Sequence, residues 1–222
     1  MPCPLLPTKI VWGLDFYSTG LKTLVFIYIW NMKILKTEIE DLLLIEPEVH
    51  GDERGYFVET FSQRDFDRLV SIPLYGKSIV FVQDNESKSG RGVLRGLHFQ
   101  RPPYAQAKIV ACVQGRILDF AVDLRIGSPT WGKHFCLELS GDNHRQLFIP
   151  KGFAHGYLTL SETAVFRYKC DEFYHPESEG GISILDPALE LELPEGPYIM
   201  SEKDKNWGPL KDAGAIFTPE SR

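Results

Sequence analysis

The sequence predicts an all-β fold in which two sheets pack face to face around a pocket, with a few short helices. Three observations predict it. From Met32 onward short apolar runs are separated by turn residues, individual runs keep a period of two, and the alternation of strand and helix patterns that marks a parallel βαβ protein is missing. Two sheets packed together bury the apolar faces of such strands and leave few edges open.

The elements follow in order along the chain. Ile109–Val113 and Arg116–Leu124 flank Gln114-Gly115 and read as a hairpin. In the second of these strands Leu118, Phe120, Val122 and Leu124 share one face, and Ile117, Asp119, Ala121 and Asp123 the other. Phe135, Leu137 and Leu139 alternate until the turn at Gly141-Asp142-Asn143, and Gln146–Ile149 follows before Pro150-Lys151-Gly152. Thr163–Cys170 and Ile182–Leu185 extend the series, with short helices expected over Asp65–Val70 and Ser201–Asn206. No internal repeat or low-complexity linker interrupts residues 32–222, which are expected to form a single domain.

Residues 1–31 are expected to be an extension ahead of a start at Met32, where the regular strand pattern begins. Within them Leu24–Trp30 is apolar but too short to span a membrane. Asn31, Met32 and Lys33 follow where a signal peptide would carry small residues for cleavage, so no export is expected.

The 222 residues are 43% hydrophobic and 24% charged, which suits a soluble protein with a full core. A net charge of -6 opposes nucleic-acid binding and points to a small-molecule partner. Cys3, Cys112, Cys136 and Cys170 are far apart with no C-x-x-C pair, which excludes a zinc ribbon and a thioredoxin-like motif. Reduced thiols are expected.

A sandwich core should be apolar, so Arg, His, Lys and Tyr among the central strands are either rim residues or the lining of a ligand cavity. The densest polar run is Arg91–Gln100, R-G-V-L-R-G-L-H-F-Q, followed by Lys108. In a regular strand Arg95 and Leu97 would share one face and Gly96 and His98 the other, unless a bulge or a glycine bend re-aims them. Gly90-x-Gly92 is no dinucleotide fingerprint, because the third glycine would fall at Arg95 and a strand follows. Many jelly-roll enzymes hold a metal through a first-strand H-x-H, a carboxylate and a later His. Here the run is His98-Phe99-Gln100, so the cage lacks a ligand even with His155 of G-F-A-H-G as the later imidazole, and no metal is expected.

Without a cofactor, His98 is the best candidate for a general base, since imidazole titrates near neutral pH. Ser201-Glu202-Lys203-Asp204 supplies a carboxylate, Asp204, that would fix the imidazole tautomer and stabilise the imidazolium. The alternative is a histidine satisfied within the fold.

At these residues the sequence resembles the dTDP-4-dehydrorhamnose 3,5-epimerase family, over essentially all of the chain from Met32. The resemblance rests on G-D-E-R-G-Y-F (Gly51–Phe57), F-V-Q-D-N (Phe81–Asn85), V-L-R-G-L-H-F-Q (Val93–Gln100), I-P-K-G-F-A-H-G (Ile149–Gly156), Tyr168-Lys169 and S-E-K-D (Ser201–Asp204), all in family order. It implies a cupin-like jelly roll, or double-stranded β-helix, and epimerisation of a dTDP-linked 4-keto-6-deoxyhexose at C3 and C5 without cofactor. By resemblance Lys108 is the cation at O4, His98 with Asp204 the base, and Tyr168 the acid on the opposite face. Arg95, Arg54, Lys203 and Gln83 resemble the family's binding residues, and Phe57, Asn85, Glu59, Tyr174 and Glu179 match positions near its ligand. Arg54 read on spacing alone is a surface charge in a turn. His155 matches a buried histidine that shapes the pocket, whereas His50 stands where relatives carry an aromatic. The resemblance also implies a cytoplasmic homodimer with strand exchange, in which Arg54 and Phe57 reach the partner's site. A mono-epimerase and a non-catalytic sugar-binding cupin are the competing expectations.

Overall fold

A computed structural model describes residues 32–213 and Phe217. The strands are β1 (Lys33–Lys36), β2 (Leu43–Glu46), β3 (Val49–Asp52), β4 (Gly55–Val58), β5 (Gln83–Gly90), β6 (Leu94–Gln100) and β7 (Lys108–Gln114). They continue as β8 (Arg116–Asp123), β9 (His134–Ser140), β10 (Gln146–Ile149), β11 (Phe153–Thr159), β12 (Thr163–Cys170) and β13 (Glu179–Gly181). A six-stranded sheet in the order β1-β2-β10-β7-β12-β5 faces a five-stranded sheet in the order β13-β6-β11-β8-β9, and β3–β4 form a separate hairpin. All pairings within them are antiparallel. This is the expected jelly roll.

Three apolar layers follow from the period of two. Val110, Cys112, Leu147 and Phe166 of one sheet meet Ile117, Ala121, Leu139 and Tyr157 of the other in the interior. The alternate residues Phe120, Val122 and Leu124 pack outward under Ile182, Ile184, Leu189 and Leu210 of the C-terminal region. The two faces expected for Arg116–Leu124 are therefore both buried. In β10, Leu147 and Ile149 point inward while Phe148 joins Leu43, Ile45 and Ile109 under a helix. That helix runs as α1 (Gln63–Phe66), a π-helical stretch (Asp67–Ser71) and α2 (Ile72–Tyr75). It closes at Gly76, whose φ of +66° suits a residue without a Cβ. Phe66 and Val70 are wholly buried beneath it, each contributing about 1.5–3 kcal/mol of apolar burial.

Two expectations are corrected. Ile109–Val113 and Arg116–Leu124 do not pair as a hairpin: β7 lies between β10 and β12, and β8 between β11 and β9, in different sheets. Gly115, at φ +75°, turns the chain from one sheet to the other, packed so closely on Thr163 that a Cβ would overlap its carbonyl oxygen. The apolar run Ile182–Leu185 is not a strand. Ile182 still exchanges backbone bonds with Leu97, but the strand is the preceding Glu179–Gly181, and Ile182 and Ile184 act as core plugs. The expected helix at Ser201–Asn206 is present as α3 (Glu202–Lys205). The expectations for residues 1–31 lie outside the described residues.

Candidate active site

The two sheets enclose a cavity of about 410 Å³. One wall comes from the six-stranded sheet. β5 presents Gln83, Asn85 and Ser87 at every second position, β7 presents Lys108, and β12 presents Phe166 and Tyr168. The other wall, from β6 and β11, carries Arg95, His98, His155 and Tyr157, and Glu179, Tyr174 and Lys203 complete the lining.

Arg95 and His98 share the cavity because β6 is bulged. His155 pairs with His98 and Tyr157 with Arg95, so two steps along β11 oppose three along β6. Gly96 takes up the extra residue at φ +106°, and a Cβ there would lie 2.7 Å from both Gly156 Cα and His155 O. The glycine is required for conformation and for space.

His98 Nε2 lies 2.5 Å from Asp204 Oδ1; the imidazole is 29% exposed and the carboxylate 5%. α3 delivers that carboxylate: Ser201 caps the helix by accepting a bond from the Asp204 amide at 3.1 Å, which fixes Asp204 in the first turn. Burial pushes the Asp204 pKa up, but the bond and charge of His98 and the Ser201 hydroxyl outweigh it and hold the group below the usual carboxylate range. Asp204 is an anion at neutral pH and accepts from Nε2–H, leaving Nδ1 as the basic nitrogen.

On the facing wall burial pushes the Tyr168 hydroxyl up to about 12, so it is protonated at neutral pH. Lys108 Nζ sits 5.8 Å from the centre of the Tyr168 ring. Burial lowers the Lys108 pKa, while acidic neighbours including Glu179 and Asp119 oppose the shift. At the rim, Glu179 accepts from Lys203 Nζ at 2.6 Å and from the Tyr174 hydroxyl at 2.8 Å. Burial raises the Glu179 pKa, and these two bonds more than reverse that. Among the described residues no cluster of three or more His, Cys, Asp or Glu could hold a metal ion, and no helix is long and apolar enough to cross a membrane.

The cavity thus joins an imidazole–carboxylate pair, a protonated phenol and a lysine on facing walls of a jelly roll, the constellation that the resemblance implied. The family model for dTDP-4-dehydrorhamnose 3,5-epimerase matches residues 36–212. The chain belongs to the dTDP-4-dehydrorhamnose 3,5-epimerase family. It is thereby a member of an isomerase family. A dTDP-4-dehydrorhamnose 3,5-epimerase of Shigella flexneri is 50% identical over 182 residues, 82% of this chain and 98% of that one. The crystal structure of the epimerase from Elizabethkingia anophelis NUHP1 is similar at 51% identity and a TM-score of 0.76, covering 82% of this chain and 97% of that chain. A dTDP-6-deoxy-D-glucose-3,5-epimerase from Legionella pneumophila Philadelphia 1, solved in complex with dTDP-4-keto-L-rhamnose, is 46% identical with a TM-score of 0.79 over 85% of this chain and 98% of that one.

For a chain of this epimerase family, ten of the sequence-predicted residues line the cavity: His98, Tyr168, Lys108, Gln83, Asn85, Arg95, His155, Tyr174, Glu179 and Lys203. Asp204 stands behind His98. Arg54, Phe57 and Glu59 are not in that lining. Arg54 and Phe57 belong to the β3–β4 hairpin, where Phe57 is 59% exposed and Arg54 pairs with Asp52, and Glu59 follows β4. Ser87, Gln106, Tyr157 and Phe166 of the lining, and Asp119 behind it, were missed. Ser87 extends the inward polar row Gln83–Asn85, which the period of two would have found. Asp119 is wholly buried and lies 2.9 Å from His155 Nε2; an Asp among the buried positions Ile117 and Ala121 was the available signal. Burial raises its pKa, against the charges of His155 and Lys108.

Proposed function

We propose that the chain inverts C3 and C5 of dTDP-4-dehydro-6-deoxy-D-glucose to give dTDP-4-dehydro-L-rhamnose. The observation that carries this is the placement of His98 and Tyr168 on opposite walls of one cavity, with Lys108 beside the tyrosine. The Legionella relative's complex with dTDP-4-keto-L-rhamnose supports the choice of sugar nucleotide.

C3 and C5 flank the C4 ketone, so loss of either proton leaves an anion spread onto O4. His98, held by Asp204, takes the proton through Nδ1 and becomes an imidazolium beside a carboxylate. Lys108 donates to the developing oxyanion at O4, and its burial makes that interaction stronger than in water. Inversion then needs a proton from the other face, and Tyr168 supplies it from the facing wall. Hydrogen leaves and returns as a proton, so carbon undergoes no net redox change and the step calls for no cofactor. Arg95 and Lys203 suit the diphosphate as guanidinium and ammonium donors, with Gln83, Asn85, Tyr174 and Glu179 orienting the nucleotide end and His155 shaping the floor. In this reading the chain works in the cytoplasm as a homodimer, and Arg54 and Phe57 serve the site of the partner subunit.

Incubation with dTDP-4-keto-6-deoxyglucose in deuterated water tests the proposal. Deuterium at C3 and C5, with an L-configured product trapped by a reductase, is the expected result. Label at one carbon would replace the double reaction with a mono-epimerisation, and no label from folded protein would overturn the catalytic reading.

A further inference from the structure

The segment that delivers Asp204 also delivers Trp207, just beyond the Asn206 that ends α3. The indole lies edge-on to the His98 imidazole, with ring centres 6.3 Å apart and planes at 71°. Its seat is Gly181, the residue paired with His98 across β6 and β13. A methyl group at Gly181 would fall 2.5 Å from Trp207 Cδ2 and 2.6 Å from Nε1, so only a glycine leaves room for the ring. The indole Nε1 is buried with no hydrogen-bond partner among the described residues. Its ring, not its N–H, therefore accounts for the contact.

We propose that Trp207 is a positioning residue for the reaction proposed above: seated on Gly181, it closes the side of the His98–Asp204 pair away from the cavity and fixes the plane of the imidazole. The inference rests on His98 being the base. Three restraints then act on one imidazole. Asp204 holds Nε2, the β6 backbone sets the Cβ, and the Trp207 ring limits rotation about the bond between them. With the indole in place the Asp204 carboxylate is only 5% exposed, which shelters its 2.5 Å bond to His98 from competing water. Without the ring the imidazole samples orientations in which Nδ1 no longer points at the proton to be removed, and misplacement of a reacting group lowers turnover more than binding.

The test combines Trp207→Ala, Trp207→Phe and Gly181→Ala with His98→Asn. Trp207→Ala should lower kcat and the rate of deuterium wash-in about tenfold with KM within about twofold. Trp207→Phe should restore most of the rate, since the N–H makes no bond. Gly181→Ala, which keeps the indole but removes its seat, should reproduce the loss. In the unmodified protein, tryptophan emission should fall as His98 protonates, and His98→Asn should flatten that titration. Unchanged kcat in folded Trp207→Ala, alongside inactive His98→Asn, would overturn the inference while leaving the catalytic reading intact. Active His98→Asn would overturn the catalytic reading instead. Should Trp207→Ala fail to fold, full activity in Gly181→Ala together with an emission signal indifferent to His98 overturns the inference.

Discussion

Gly96→Ala is the sharpest test of how the fold sets the site. Gly96 absorbs the extra residue of the β6 bulge at φ +106°, a region that L side chains rarely adopt, and its Cβ would sit 2.7 Å from Gly156 Cα and His155 O. Ordinary contact begins at 3.4 Å, so β6 and β11 must separate by roughly 0.7 Å or the bulge must reshape. Backbone strain of about 1–3 kcal/mol adds to overpacking of about 1–3 kcal/mol, giving a destabilisation of about 2–6 kcal/mol. At about 2–4 °C per kcal/mol for a chain of this size, Tm should fall by roughly 5–20 °C. The displaced residues include His155 and its register partner His98, so kcat should fall by about a hundredfold in the protein that remains folded. Two controls separate the causes. Gly127→Ala has positive φ, +74°, but nothing within 4 Å, and Gly90→Ala has neither strain nor a neighbour closer than 3.8 Å. Calorimetry with steady-state kinetics reads all three. A Gly96→Ala protein with the Tm and kcat of Gly90→Ala would refute the account of the bulge.

His98→Asn should reduce kcat by about two to four orders of magnitude while nucleotide binding, read by calorimetry with dTDP, persists, and Asp204→Asn should follow in the same direction with a smaller loss. Tyr168→Phe should stop inversion but leave deuterium wash-in, because the base can return a proton to the face it came from; NMR of recovered substrate checks this. The folded Tyr168 pKa of about 12 lies above its unfolded value of about 10, so its contribution to stability is complete below pH 10 and lost as pH rises through 12. Tyr168→Phe should therefore lose less stability than the unmodified protein over that window, as denaturant melts at stepped pH would report. Asp119→Asn removes an acidic neighbour that holds up the Lys108 pKa, so the alkaline limb of kcat should move to lower pH. Arg125→Met leaves the wholly buried Asp123 without its 2.8 and 2.9 Å partners and should cost about 3–5 kcal/mol of stability by denaturant titration, with kcat per folded molecule unchanged.

Much of this fold was legible because it depends on local pattern. Gln146–Ile149 and Thr163–Cys170 are strands with the expected bounds, since apolar alternation and turn residues act within the segment itself. The hairpin at Gln114-Gly115 failed because a glycine turn between two apolar runs fits a corner between sheets as well as a reversal within one. Only the partners of β7 and β8 distinguish them. Glu179–Gly181 was invisible for the opposite reason: E-G-G has no strand propensity and pairs with β6 because tertiary contacts require it. In the site, residue types named the chemistry, but the shared orientation of Arg95 and His98 lay in a count of β11 against β6 that no single strand encodes.

The two His–Asp pairs place the same side chains in different surroundings. His98 and His155 are opposite in register on β6 and β11, so their imidazoles enter the cavity region side by side. The partner of His98 comes from outside the sheet, on α3, where hydrogen bonds keep Asp204 ionised and the imidazole stays accessible enough to exchange a proton. The partner of His155 comes from within, on β8, where Asp119 has no exposure and burial works against its charge. A proton placed on the first pair can leave through the cavity. Asp119 is enclosed, and with Cys170 and Glu179 it opposes, without reversing, the lowering of the Lys108 pKa by burial. In the proposed reaction the carboxylate that partners the base, Asp204, is thus distinct from the one beside Lys108, Asp119, so taking a proton from the sugar need not alter the surroundings of the lysine at O4.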